Sequence, residues 1–167
     1  FITHYQIDKK LSLEEFEKQV GKGVTILDAR EADVFEKGFI PDSVNIGLNG
    51  QYAVWVGSLI DAKDPLVLVT EEGQEEEAIL RLARVGYENV KGYLKGGFRA
   101  WKDSGRKVDH IEVMHPISFE KQYSPEEHVI DVRNEGEWAG GVIDGVQLIP
   151  LTRLTREFGI LDKSNKY

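Results

Sequence analysis

The pattern of apolar and polar positions divides much of the chain into short strands and helices that alternate. In LSLEEFEKQV (residues 11–20), Ser12 is followed three residues later by Glu15, which is the signature of a capping box at a helix start. Buried strands are predicted in the apolar runs VTILDAR, SVNIGL, PLVLVT and NVKGYL. Further helices are predicted in ADVFEKGF, EEEAILRLARVGY and FRAWKDSG. This alternation indicates an α/β fold with a parallel sheet that is covered on both faces.

An internal repeat is visible in the same pattern. The segment Ile26–Leu48 (ILDAREADVFEKGFIPDSVNIGL) aligns without a gap with Val129–Leu151 (VIDVRNEGEWAGGVIDGVQLIPL), 103 residues further on. Two copies at a domain-sized spacing predict tandem domains rather than a solenoid. We expect a complete domain over residues 1–108, a linker over 109–116 and the N-terminal half of a second domain over 117–167.

The composition excludes several classes of function. The 167 residues include no cysteine, which excludes disulfides, cysteine-based zinc sites and thiol catalysis within them. The net charge is −8 and Lys and Arg form no cluster, so nucleic acid is not an expected partner. No apolar run approaches the roughly 20 residues of a membrane-spanning helix, and no membrane partner is expected. Because the chain starts at Phe1 rather than Met and shows no targeting segment, we expect a portion of a longer, cytoplasmic protein.

The histidines predict no metal site, and no cofactor is expected. Their spacing fits no ligand pattern such as H-x-x-x-H, so scattered surface positions are the favoured interpretation. The four are His4, His110, His115 and His128.

The ordered motifs of the chain resemble the rhodanese-like domain family. LDAR after a strand is followed by GFIPDSVNIGL, and the second copy has IDVR followed by GVIDGVQLIPL. The first copy also matches, in order, the family's closing pattern at Gly86, Val90, Leu94, Gly96, Gly97, Ala100, Trp101 and Gly105. The resemblance covers nearly the whole chain. It implies a three-layer α/β fold with a central parallel five-stranded sheet, plus the N-terminal half of a second copy.

One loop departs from the family's pattern. Active members resemble C-x-x-G-x-R/S after the central strand, and alignment on Gly73 places Thr70 at the cysteine. The resemblance implies that this cysteine holds sulfur as a persulfide. A threonine cannot do so, and its hydroxyl is a poor nucleophile unless a base activates it. We therefore predict no catalytic residue, with a threonine nucleophile as the less favoured alternative. The degenerate active-site loop comprises Thr70, Glu71, Glu72, Gly73, Gln74 and Glu75.

Acidic residues crowd this loop and disfavour an anionic substrate such as thiosulfate. Like charges at close range repel by roughly 1 kcal/mol per pair even near the dielectric constant of water. The acids could form a site for a cation or a basic partner. The favoured alternative is that the helix dipole stabilises acids in a first turn, each by about 0.3–1 kcal/mol.

Two Asp-x-Arg pairs occupy equivalent positions in the repeat, Asp28 with Arg30 and Asp131 with Arg133. Each pair could supply a catalytic acid and a substrate clamp. We favour a structural pair at a strand end, in which arginine binds the carboxylate or nearby backbone carbonyls.

The combined prediction is a catalytically silent rhodanese-like domain. Its expected role is structural, regulatory or partner-docking within a larger sulfur-transfer or persulfide-handling protein. The expected partners are neighbouring domains of the same chain or another protein, and small sulfur compounds would be handled only through the parent protein. Two alternatives stay open. A sulfurtransferase could carry its cysteine in the second domain, near position 173, or an upstream metallo-β-lactamase-fold domain could supply a hydrolase or persulfide dioxygenase activity.

Overall fold

A computed structural model describes residues 9–162 and 164–167 of the chain. The chain divides into two compact units, Phe1–Val113 and Met114–Tyr167, and each is considered by itself below. The boundary after Val113 lies inside the segment 109–116. In the described part of the chain, no helix combines the length and the apolar character that crossing a bilayer requires.

The first unit is built on a five-stranded sheet in which every pairing between strands is parallel. The strands stand in the order β1-β5-β4-β2-β3. Their bounds are Lys10–Leu11 for β1, Thr25–Asp28 for β2, Val44–Asn45 for β3, Leu66–Val69 for β4 and Val90–Leu94 for β5. The helices are α1 (Leu13–Val20), α2 (Ala32–Phe35), α3 (Tyr52–Leu59), α4 (Glu75–Arg84) and α5 (Gly97–Asp103). The predicted α/β fold with a parallel five-stranded sheet is confirmed.

The central strand β4 explains why its sequence is a continuous apolar run. Successive side chains of a strand point to opposite faces, and all four residues of β4 are fully buried. Leu66 and Leu68 belong to a core with residues of α3 and α4. Val67 and Val69 belong to a second core with Phe16 of α1 and Trp101 of α5. Helices therefore cover both faces of the sheet.

Two short elements at the start of the unit show what the pattern predicted and what it did not. The Ser12 hydroxyl accepts from the Glu15 amide at 3.2 Å, and the Glu15 carboxylate accepts from the Ser12 amide at 2.8 Å. This confirms the predicted capping box at the start of α1. The preceding strand β1 left no signal in the apolar pattern, because it has two residues and only Leu11 is buried.

The second unit repeats the first part of this fold. It contains α6 (Pro116–Gln122), β6 (Ile130–Asp131), α7 (Glu135–Trp138), β7 (Gln147–Leu148), α8 (Leu151–Glu157) and a 3-10 helix, Phe158–Ile160. Strands β6 and β7 pair in parallel with the register that β2 and β3 have at the aligned positions. The repeat also begins earlier than the alignment above, since FEKQ occurs in α1 at residues 16–19 and in α6 at residues 119–122.

Candidate functional site

A buried ion pair closes the carboxyl end of β2. The Arg30 guanidinium donates to both oxygens of Asp28, with Nη2 to Oδ2 at 2.6 Å, and Nη2 also donates to the Gly38 carbonyl at 3.0 Å. Its Cζ lies 4.2 Å from the centre of the Phe98 ring. Both charged residues are almost fully buried. We call this arrangement of Asp28, Arg30 and the Gly38 carbonyl the clasp. It leaves the charge of Arg30 neutralised rather than free to hold a substrate.

The loop that follows β4 is a tight turn into α4. The Gln74 amide donates to the Glu71 carbonyl at 3.2 Å, which closes a four-residue turn. Gly73 is the third residue of this turn and has a φ of 85°, a conformation that glycine adopts without steric cost. Helix α4 begins at Glu75 and has Glu75, Glu76 and Glu77 in its first turn, where the helix dipole stabilises acids.

The start of α5 approaches the same loop closely. Gly97 has a φ of 56°, and a Cβ atom added there would lie 2.8 Å from the Thr70 carbonyl oxygen. Only glycine combines this conformation with this approach. The backbone of the loop is therefore held between the strand end and α5.

These elements enclose a depression of about 740 Å³ at the carboxyl edge of the sheet, which we call the cup. Arg30, Thr70 and Gly97 are among the residues that line it. Acidic side chains come from the loop after β4 and from α4, and basic side chains come from β1, the end of β5 and α5. The acids are Glu71, Glu72 and Glu75, and the bases besides Arg30 are Lys10, Lys95 and Arg99.

Thr70 stands in the cup without an activating partner. It is 5% exposed, and none of the described residues hydrogen-bonds to its hydroxyl. None of the described residues that line the cup is a histidine, so no imidazole among them is placed to take the proton of the hydroxyl. This arrangement lacks the nucleophile–base pair that hydroxyl nucleophiles require.

The structure brings together only part of the predicted site. Thr70, Glu71, Glu72 and Glu75 line the cup with Arg30, whereas Gly73 and Gln74 shape the turn without lining it. Lys10, Lys95 and Arg99 were not predicted from the sequence, because they come from three separate segments. The strand order supplies the missing signal, because β5 lies beside β4 and β1 lies beside β5.

The second unit contains a second clasp with the same geometry. Arg133 Nη2 donates to Asp131 at 2.6 Å and to the Gly141 carbonyl at 2.9 Å. Hydrogen bonding to Arg133 is the main cause that lowers the pKa of Asp131, to about 2. This clasp is more open than the first, since the Arg133 side chain is 44% exposed.

The second clasp borders an apolar groove of about 680 Å³ along β6. In the first unit, the equivalent face of β2 is covered by a core that contains Phe16 of α1 and Trp101 of α5. Ile143 is 43% exposed, whereas the aligned Ile40 is 2% exposed, and Leu151 and Leu48 differ in the same way. The second unit thus exposes residues that the first unit buries in its core.

Within residues 9–162 and 164–167, no three His, Asp or Glu side chains are grouped so that they could hold a metal ion. His115 instead caps α6, with its Nδ1 accepting from the Ile117 amide at 3.3 Å. His4 lies outside the described residues.

Comparisons with known proteins converge on one family. The model of the family described as "Rhodanese-like domain" matches residues 12–104. The thiosulfate sulfurtransferase GlpE of Pseudomonas savastanoi pv. phaseolicola is 30% identical over 95 residues, which cover 56% of this chain and 87% of that protein.

Solved structures show the same fold. The Alr3790 protein from Anabaena sp. superposes with a TM-score of 0.55 at 22% identity, covering 62% of this chain and 94% of that chain. A variant of EanB, in complex with ergothioneine covalently linked to a persulfide, has a TM-score of 0.53 at 18% identity. That similarity covers 85% of this chain and 41% of the EanB chain.

Proposed function

Because the chain belongs to the rhodanese-like domain family and has Thr70 at the loop position of the family's cysteine, we propose that its first unit is catalytically silent. Its role is structural or partner-docking, or it regulates an activity elsewhere in a larger sulfur-transfer or persulfide-handling protein. The observation that carries the proposal is Thr70 itself, which is buried in the cup and has no activating group among the described residues.

The backbone around Thr70 supports the proposal of an active-site loop that keeps its conformation but has no catalytic activity. The turn at Gly73 and the approach of Gly97 both hold the loop in place. A persulfide needs a thiolate, which is accessible near neutral pH, whereas an unactivated hydroxyl is not ionised there. The acids of the cup repel thiosulfate and offset the attraction of its basic residues.

The test is a thiosulfate:cyanide sulfurtransferase assay on this chain, with a cysteine-containing sulfurtransferase as the positive control. We expect thiocyanate formation no faster than in the buffer blank. The Thr70→Ala variant is the matched comparison and should behave in the same way. Turnover above the blank that disappears in Thr70→Ala would overturn the proposal in favour of a threonine-dependent activity.

A second candidate function concerns the second unit. Its clasp and its β6–β7 register reproduce those of the first unit. Its apolar groove is lined by Val129 and Ile143. Their counterparts in the first unit, Ile26 and Ile40, belong to the core that Val67 and Val69 of β4 help to form. These observations favour a tandem arrangement in which a strand like β4 completes the second domain. In register, the residue equivalent to Thr70 would be position 173, and a cysteine there would make the parent protein a sulfurtransferase.

Reading the gene beyond Tyr167 tests this second candidate. We expect an apolar strand over positions 169–172 and a cysteine at position 173. An apolar strand followed by a residue other than cysteine would support the tandem arrangement and exclude persulfide chemistry in it. The upstream metallo-β-lactamase-fold domain stays a prediction, which the gene sequence before Phe1 tests.

A further inference from the structure

The cup carries two opposed sets of charges. The acidic lip comes from the loop after β4 and from α4, and consists of Glu71, Glu72 and Glu75. The basic lip comes from β1, the end of β5 and the start of α5, and consists of Lys10, Lys95 and Arg99. Because β1, β5 and β4 are neighbours in the sheet, the strands that carry the lips span roughly 10 Å.

The two lips do not neutralise each other directly. In the described part of the chain, no ion pair within 4 Å joins an acid of one lip to a base of the other. Among the described residues, Arg99 forms an ion pair with Asp103, one turn along its own helix, and its side chain is 91% exposed. It also stands in the first turn of α5, where the helix dipole disfavours a cation. The basic lip is therefore available to a ligand.

Thr70 supplies a polar group at the floor of the cup. The residue is 95% buried and lines the cup, and its hydroxyl has no hydrogen-bond partner among the described residues. This hydroxyl is not among the described side-chain atoms that are both buried and unpartnered, so it is accessible from the cup and can hydrogen-bond to a molecule there.

The balance of charge in the cup selects the kind of ligand. Asp28 neutralises Arg30 in the clasp, which leaves three acids and three bases among the described residues that line the cup. A simple anion or cation is attracted by one lip and repelled by the other, whereas a zwitterion is attracted by both.

We infer that the cup binds a small zwitterion of the amino-acid or short-peptide class. The ammonium group lies at the acidic lip, the carboxylate lies at the basic lip, and a polar group between them reaches Thr70. The volume of about 740 Å³ is within the usual range for small-molecule sites. This inference rests on the proposed function only in that Thr70 leaves the cup without a thiol.

The first experiment compares three probes of matched length on the whole chain. They are 6-aminohexanoate, hexanoate and hexylammonium, titrated while the amide signals of Thr70, Gly96 and Gly97 are followed by NMR. We expect 6-aminohexanoate to bind at least about fivefold more tightly than either singly charged probe. Its affinity should fall as salt is added. Equal affinity for hexanoate or hexylammonium, or no response to 6-aminohexanoate at millimolar concentration, would overturn the inference.

The second experiment removes one charge from each lip. Glu75→Gln and Lys95→Gln should each lower the affinity for 6-aminohexanoate about two- to fivefold, which is the range of an exposed ion pair. Glu75→Gln should at the same time raise the affinity for hexanoate, and Lys95→Gln should raise the affinity for hexylammonium. Matched controls are Glu76→Gln in α4 and Lys102→Gln in α5, which lie outside the cup and should leave all three affinities unchanged.

The outcomes separate this inference from the proposed function. If the control variants changed binding as much as the lip variants, the charge would act at long range and the site assignment would be wrong. Thiosulfate turnover would overturn the silent-domain proposal without altering the probe affinities. Loss of zwitterion selectivity would overturn only the inference drawn from the lips.

Discussion

At the scale of single residues, the clasp shows that a short motif can fix its own geometry. Arg30 and Arg133 bind their aspartates at the same closest distance of 2.6 Å, although the first is buried and the second is 44% exposed. The sequence predicted a structural pair because the D-x-R spacing places both side chains at a strand end. It could not predict that a glycine carbonyl eight residues further on completes each clasp, since that contact depends on the path of the chain after the strand.

The second clasp predicts a pH dependence. The pKa of Asp131 is lowered to about 2 from 3.8, so pairing with Arg133 stabilises the folded second unit above pH 3.8. That stabilisation is lost as the pH falls through about 2. A carboxyl-carbon NMR titration should give Asp131 a midpoint near 2, and Arg133→Gln should raise it toward 3.8. An unchanged titration midpoint of Asp131 in the Arg133→Gln variant would show that another group lowers the pKa of Asp131.

At the scale of elements, apolar patterning located the long strands and helices but not the cup. The four-residue strand β4 could be predicted because burial on both faces demands an unbroken apolar run. Strands β1, β3, β6 and β7 have two residues each, too few to show alternation. The cup also requires the strand order, since Lys10, Lys95 and Thr70 become neighbours only when β5 lies between β1 and β4.

The packing of α5 against the loop predicts an asymmetry between two glycines. Gly97 and Gly105 both have positive φ, but only at Gly97 would an added Cβ meet backbone. Gly97→Ala should cost about 2–5 kcal/mol of stability from strain and overlap together, and Gly105→Ala about 1–2 kcal/mol from strain alone. Urea unfolding followed through β4 methyl signals measures both. Equal losses of stability in the two variants would mean that the loop after β4 shifts away from α5 and does not hold its position.

At the scale of the whole molecule, the two units differ in how much apolar surface they bury. The first unit has two cores, one on each face of its sheet. Among the described side chains of the second unit, Ile149 alone is a buried hydrophobic residue. The repeat in the sequence predicted two related pieces, and the aligned residues do adopt the same strands and clasp. The aligned apolar residues of the second unit are nevertheless less buried than those of the first, because their burial depends on β4 and its helices rather than on the repeated segment itself.

This difference predicts unequal protection from hydrogen exchange. Strand β4 is paired on both sides by β2 and β5, whereas β6 is paired only with β7. We expect the amides of β4 to exchange at least about 100-fold more slowly than those of β6, which corresponds to about 2.7 kcal/mol of additional opening free energy. Exchange measured by NMR or mass spectrometry decides this. Comparable protection in the two strands would mean that something covers the groove along β6.

The clasp also bears on the order in which the chain folds. Its contacts join residues two and eight positions apart, whereas the pairing of Leu27 with Leu68 requires a long segment of chain to close first. Contacts of short sequence separation cost less loop-closure entropy and form sooner. The occurrence of a complete clasp in the second unit, where most apolar side chains are exposed, indicates that this local structure does not wait for a core. We therefore expect the end of β2 and its clasp to form first in the nascent chain, and β4 to pair with β2 afterwards.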